Sequence, residues 1–290
     1  MEPLVDIIVP TYNRKHDLKK FIAEIEKQSY SNYIVHIVDD FGSEDLTKII
    51  PSKPQFNFTR LPENRGQAFA RNYAAAKSTG DYIVFMDDDA WFTSGDDLQT
   101  VVEIMSGDSG IGCLMFDLLE PNRALLSERK KLKEGQILGD FIACACAFRK
   151  AAFLATDGFN PIFHSYGEET EIGIQLLQAN YKIQFTQKVR VFHNYNPGAR
   201  SLSWKKRFIK NSVKNDLLVI NLRFPPLVRP IYSFAKILSH ILHNIKVKNN
   251  PIYILPGINA FFKDFQTIKK SSKPTPMNLR QFNYWRKIRM

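Results

Sequence analysis

Three consecutive carboxylates, Asp87-Asp88-Asp89, directly follow an apolar run, Tyr82–Met86. Carboxylates crowded at the end of a buried strand repel one another and call for a compensating cation. Their hard oxygens suit Mg2+ or Mn2+, ions that commonly bridge protein carboxylates to phosphate oxygens. An acidic turn capping the next helix accounts for the same residues without a metal. A second acidic group, Glu168-Glu169, follows Gly167 where a helical pattern begins. Acids there favour the helix dipole, and two adjacent carboxylates can equally supply a general base whose pKa is raised by its neighbour and by burial. His193 ends the run Arg190-Val191-Phe192, a place for a locally satisfied histidine or for a ligand. Arg65 and Arg71 lie in Asn64-Arg65-Gly66-Gln67-Ala68-Phe69-Ala70-Arg71-Asn72, at a helix start that suits an anionic diphosphate or a surface ion pair.

These residues need a scaffold that brings them together. Apolar runs at Val5–Val9, Tyr33–Val38, Phe56–Arg60 and Tyr82–Met86 alternate with helical patterns near 15–28, 44–50, 66–77 and 97–106. Continuous apolar strands separated by helices predict an α/β fold, with a mostly parallel sheet covered on both faces. Such sheets bind ligands outside the carboxyl ends of their strands. Polar residues follow those ends: Pro10-Thr11-Tyr12-Asn13-Arg14, Asp39-Asp40-Phe41-Gly42-Ser43, and the acidic triplet. From 111 to 195 the pattern continues as strand (Ile111–Phe116), charged loop (120–138, a mobile surface segment), strand (Asp140–Phe148), helix (Glu169–Leu177) and strands near 182–193. Residues 1–197 form the expected catalytic domain, divided near 115 into a nucleotide-binding and an acceptor part.

Residues 198–290 form the expected basic helical extension, with helices over 203–222 and 231–245. In the second, Ile231, Phe234, Leu238, Ile241, Leu242 and Ile245 share one face. Charge divides along the same boundary. Residues 1–195 carry a net charge of −6, and 196–290 carry 19 Lys/Arg against 2 Asp/Glu. Basic tails of this kind meet nucleic acid or anionic membrane surfaces.

Several chemistries are excluded by missing signatures. The chain has no phosphate loop of the G-x-x-x-x-G-K-[ST] type, no G-x-G-x-x-G after its first strand, no zinc-ligand spacing and no G-x-S-x-G elbow. Three cysteines, Cys113, Cys144 and Cys146, give no disulfide framework. A cytoplasmic protein is expected, since no secretory leader opens the sequence and no apolar window reaches spanning length.

Taken in order, IIVPTYNR, VDDFGSED, NRGQAFARN, GDYIVFMDDD, FRKAAFLATDGFN, YGEETEIGIQLLQANYKI and VFH resemble the family 2 glycosyltransferases of GT-A fold, over residues 5–195. The resemblance implies an inverting, metal-dependent transfer of a sugar from a nucleotide diphosphate donor, UDP above all, to an acceptor hydroxyl. It implies that Pro10, Thr11 and Tyr12 line the nucleotide pocket, and Arg14, Asn64 and Arg71 are expected to bind the donor as well. Asp40 would bond the base and Asp88 would lie by the ribose. Asp89 would bind Mn2+ or Mg2+, supported by Asp87 and approached by His193. Glu169 takes the place of the catalytic base, beside Glu168.

The chain departs from the family pattern at three positions. Phe41 stands where glycine usually follows the second Asp, which leaves the base contact open between Asp39 and Asp40. The usual Glu-Asp pair is Glu-Glu, and Ala90 follows the triplet where another acid is common. The implied acceptor is a saccharide, free or lipid-linked, in cell-surface polysaccharide synthesis. The tail then reads as helices on an anionic membrane, with Trp204, Phe208 and Trp285 at the interface, or as helices packed on the catalytic domain. Two other readings predict different behaviour. A sugar-phosphate nucleotidyltransferase would release pyrophosphate, and a nucleic-acid-binding protein would show steep salt dependence.

Overall fold

The computed structural model describes residues 2–121, 132–163, 166–194, 202–247, 249–271 and 274–289. Its first half follows the expected alternation: β1 (Val5–Thr11), α1 (Lys15–Ile25), β2 (Tyr33–Asp39), β3 (Phe56–Arg60), α2 (Gln67–Lys77), β4 (Tyr82–Met86), β5 (Ala90–Phe92) and α3 (Asp97–Gly107). Then come β6 (Ile111–Leu119), β7 (Ile137–Leu138), β8 (Ala145–Arg149), α4 (Lys150–Leu154), α5 (Glu168–Gln178) and β9 (Lys182–His193). The described strands form one sheet in the order β3-β2-β1-β4-β8-β6-β9-β5, with β7 beside β9. β3, β2, β1 and β4 are parallel, whereas β8 runs antiparallel to both β4 and β6. The fold is the expected GT-A type of α/β sheet, parallel in its first half and mixed in its second.

Period-two alternation sorts the strand residues between two cores. Val5, Ile7 and Val9 face α1 and α3, and Ile8 faces α2, α4 and α5. The three strand ends named in the sequence therefore share one edge: Thr11 lies opposite Asp39 in register, and β1 also neighbours β4.

Local competition explains where elements differ from expectation. No helix forms at 44–50; the Asp45 carboxylate accepts bonds from both the Thr47 amide and hydroxyl, a turn that competes with helix, and Pro51 follows. The strand expected from Asp140 begins at Ala145, because Ala145 N–H turns back to Ile142 O. The strands near 182–193 are one strand of 12 residues. Of the charged loop, 122–131 lies outside the described residues. Its last part is docked rather than mobile: β7 pairs with β9, and Glu134 accepts bonds from Thr186 and Gln187.

The basic extension is built from α6 (Leu202–Arg223), α7 (Arg229–Lys246), α8 (Leu255–Ser271) and α9 (Leu279–Ile288). No helix among the described residues is long and apolar enough to cross a membrane. α6 and α9 pack on α5 through a third core that joins Phe163 and Ile174 to Val213, Leu217 and Phe282. Buried Arg223 of α6 donates from Nε to Glu171 of α5 at 2.7 Å, and its guanidinium also meets Asp157 at 2.9 Å. Trp285, expected at an interface, is instead fully buried and donates to Gly139 O. Its indole thereby satisfies both its apolar area and its one donor.

Candidate active site

The acidic triplet emerges from β4 and each carboxylate has a different neighbour. Asp87 accepts from buried Arg71 and from Gln67, both at 2.7 Å. Asp88 accepts from the Thr11 hydroxyl at 2.7 Å. Asp89 is held by Arg14 and lies 3.3 Å from His193 Nε2. Two arginines and a histidine thus offset the repulsion expected from sequence. Burial raises the Asp88 carboxyl to about 7, against the opposing pull of Thr11 and Arg14. Burial also acts upward on Asp89, but His193 and Arg14 outweigh it and hold the group below the ordinary carboxylate value.

Glu120 completes this corner and was not singled out from sequence. It directly follows β6, is 1% exposed, and its carboxylate meets His193 Nδ1 at 2.7 Å. Burial would lower His193, yet its bonds to Asp89 and Glu120 raise it to about 9. The register shift between Phe116 and Asp117 along β9 realigns the strand end, as bulges beside functional sites often do. An acid after an apolar run was the available signal. Ala90, at the position where the family often has an acid, pairs in strand register with His193.

Asp87, Cys144 and His193 bring donor atoms within 4.8 Å of one another. Of these, the Asp87 oxygens suit a hard divalent cation and the His193 imidazole can join them once neutral; Asp89 lies 3.3 Å from the same imidazole but outside this group. The Cys144 thiol does not suit such an ion; burial pushes it well above its ordinary value and keeps it neutral. The cation-bearing side chain at Asp89, Arg14, is about half exposed, so its place can be yielded.

The residues expected at the nucleotide are arranged by β1 and β2. Pro10 and Thr11 are buried in β1, and Tyr12 projects half-exposed beyond it. Asp40 accepts from the Arg65 and Gly66 amides, both at 2.8 Å, and Asn64 donates to Asp40 O at 3.1 Å. Asp40 and Asn64 are thereby engaged in ordering the loop into α2. Asp39 bonds the Gly42 amide through Oδ1, and its buried Oδ2 has no hydrogen-bond partner among the described residues. Phe41 adopts φ 64° with its ring half-exposed, a left-handed backbone that explains why glycine usually stands here.

Across the site, α5 starts at Gly167 with φ 97° and carries Glu168 and Glu169 in its first turn. Both carboxylates also accept backbone amide bonds at this helix start, which pull their pKa down against burial. Arg71 ties the two halves electrostatically: Asp87, Glu168 and Glu169 all act on it. Its burial opposes its charge, but those carboxylates raise it above its usual value. Glu168 is buried, and one of its carboxylate oxygens, Oε2, has no partner among the described residues. Burial raises it, partly countered by Arg71. Glu169, crowded by protein yet partly open to a cavity, is pushed to about 8 by burial and then by the Glu168 charge. That cavity holds about 490 Å³ and is shared by Glu169, Tyr166, Asp216, Tyr232, Lys236 and Arg289. The extension therefore supplies walls to the cavity, which sequence did not reveal.

The geometry joins an acidic edge at the strand ends to a carboxylate, Glu169, that opens into a cavity lined by charged and polar side chains. Residues 6–154 match the family model described as glycosyl transferase family 2. An N-acetylglucosaminyltransferase of Sinorhizobium fredii is 26% identical over 250 residues, 76% of this chain and 60% of that protein. The chain thus spans about three fifths of the length of that relative. A mannosyltransferase of Pyrobaculum calidifontis, solved with GDP-Man and Mn2+, superposes with a TM-score of 0.63 at 17% identity, covering 99% of this chain and 84% of that one. S. aureus TarS with UDP-GlcNAc gives a TM-score of 0.65 at 15% identity, covering 91% and 81%.

Proposed function

The chain belongs to glycosyl transferase family 2, and from that premise we propose that it moves a sugar from a UDP sugar to a saccharide hydroxyl with inversion. The observation that carries this reading is one buried arginine, Arg71, shared between the Asp87 strand end and the Glu168-Glu169 pair. A donor diphosphate and an acceptor hydroxyl would then meet across that arginine. The relatives' N-acetylglucosaminyltransferase name and the UDP-GlcNAc complex of TarS favour UDP-N-acetylglucosamine as the first donor to try.

In this reading Pro10, Thr11, Tyr12 and Arg14 border the nucleotide, with Asp88 toward the ribose. Asp89, supported by Asp87 and His193, would hold Mn2+ or Mg2+, which offsets charge developing on the diphosphate. The Mn2+ in the mannosyltransferase complex supports that assignment. Glu169 accepts the proton of the acceptor hydroxyl as its oxygen attacks the anomeric carbon. The bond from that carbon to the diphosphate oxygen breaks on the opposite face, and the nucleoside diphosphate leaves. One in-line displacement inverts the centre and needs no covalent sugar–enzyme bond. The acceptor, free or lipid-linked, would belong to cell-surface polysaccharide synthesis on the cytoplasmic side.

The test is nucleotide release from UDP, dTDP and GDP sugars, with and without Mn2+ or Mg2+, for wild type, Asp89→Ala and Glu169→Gln. Metal-dependent release lost in both variants is expected, with an inverted anomer by NMR. Release of pyrophosphate, or turnover untouched in both variants, would overturn the assignment.

A further inference from the structure

α7 is amphipathic in the direction opposite to a packed helix. Leu227 just before it and Ile231, Phe234, Leu238, Leu242 and Ile245 along it are all exposed, Ile231 and Phe234 at 71% each. At 1.5 Å per residue this stripe is roughly 27 Å long. An unpartnered apolar face of that length is costly in water and marks a contact surface. Of the six residues the sequence pattern places on one face, the structure turns five outward and packs Ile241, partly buried, on the third core.

The charges around it define the occupant. α7 contains no acid, and its last turn carries exposed Lys246; Arg229 at its start is half-buried and donates from Nε to Phe224 O. Lys206 lies over Tyr253 of the short turn that packs on α7, and Arg286 lies over Tyr232. The described extension has two carboxylates, and both are engaged: Asp216 with Lys236 and His240, Asp264 with Lys214. A twofold pairing of α7 with a second copy would set these cationic fringes against each other. An anionic lipid surface would instead attract them while accepting the apolar stripe to the depth typical of interfacial helices.

We propose that α7 lies in the plane of an anionic phospholipid bilayer, apolar stripe inward, with exposed Lys246 and the exposed Lys206 and Arg286 beside it at the headgroups. This goes beyond sugar transfer and does not depend on it. One consequence concerns the site. Tyr232, Ala235 and Lys236, on the flank next to the stripe, line the cavity that holds Glu169, so docking sets that cavity beside the lipid surface.

The test floats the full chain, without donor or metal, on vesicles of phosphatidylcholine with or without phosphatidylglycerol. Wild type and an Ile231→Ser/Phe234→Ser/Leu238→Ser variant are compared, with melting temperature and light scattering measured for both. The proposal expects wild type to float only with phosphatidylglycerol and the variant to bind roughly tenfold less or weaker, at an unchanged melting temperature. Wild type that stays at the bottom of the gradient overturns it, as does a folded variant that floats equally well. A wild-type dimer that becomes monomeric in the variant, without vesicle binding, assigns the stripe to self-association and also overturns it. Because no turnover is read, failure here leaves the catalytic assignment untouched.

Discussion

Replacing Glu169 with Gln keeps the size of the side chain and removes its ability to take a proton. Burial and the neighbouring Glu168 charge hold the Glu169 carboxyl at about 8, against an ordinary 4.5. A base must be ionised to work, so wild-type kcat/KM should climb roughly tenfold between pH 7 and pH 9. The variant should lose about 10²- to 10⁴-fold in rate, the usual contribution of a positioned base, and with it that slope. Stability provides an independent reading. The folded state resists ionising Glu169 whereas the unfolded chain ionises it near 4.5, so its contribution is intact below that value. It is then lost as pH rises to about 8. Each pH unit across that interval is worth about 1.4 kcal/mol, so the Gln variant should become the more stable protein, increasingly so from pH 5 to pH 8. Coupled nucleotide-release kinetics and urea unfolding across pH measure both effects. The reasoning fails if residual activity in the variant keeps the wild-type pH slope, which would give the slope to Asp88 or His193. It fails equally if the variant gains no stability with rising pH. Glu169→Asp, which restores the usual Glu-Asp pair, should retain more activity than Gln.

Arg71→Met leaves Asp87 and the Glu168-Glu169 pair without their shared buried cation, and should cost about 3–5 kcal/mol, read by urea unfolding. Mn2+ should raise the melting temperature of wild type, and Asp89→Ala should abolish that rise; an equal rise in both would remove Asp89 from the ion's ligands. Phe41→Gly relieves a left-handed backbone but deletes an exposed ring beside Asp40. If that ring stacks on the nucleobase, the variant should bind UDP about fivefold more weakly, near 1 kcal/mol, in a calorimetric titration.

The sequence revealed this site unevenly, and the reasons are physical. β1, β2 and β4 were legible because buried parallel strands read as unbroken apolar runs, and their polar ends mark the edge of the candidate site. The first turn of α5 was legible because Gly167 and two acids mark a helix start. Glu120 escaped because it reaches His193 across the sheet, a pairing fixed by the β6–β9 register rather than by any local spacing. The tail was the harder case. A shared apolar face on α7 is the same string of letters whether it packs inward or faces solvent, and Trp285 shows the converse, an aromatic expected outside that is buried against Gly139.

The charge arrangement explains how such a site can fold before any ion arrives. Three adjacent carboxylates and a glutamate pair would destabilise an enclosed edge if left uncompensated. Arg71 takes Asp87 and faces the glutamates, Arg14 takes Asp89, and His193 is raised to about 9 between Asp89 and Glu120. The two arginines differ in the way that matters: Arg71 is 3% exposed and fixed, whereas the Arg14 side chain is 48% exposed. In the proposed function, a fixed cation would keep the donor and acceptor halves in register, and a movable one would leave Asp89 to a divalent cation and diphosphate. On that reading the folded protein and the loaded enzyme would use the same carboxylates, with Arg14 leaving Asp89 and His193, raised to about 9 in the ion-free protein, giving up its proton to the incoming ion.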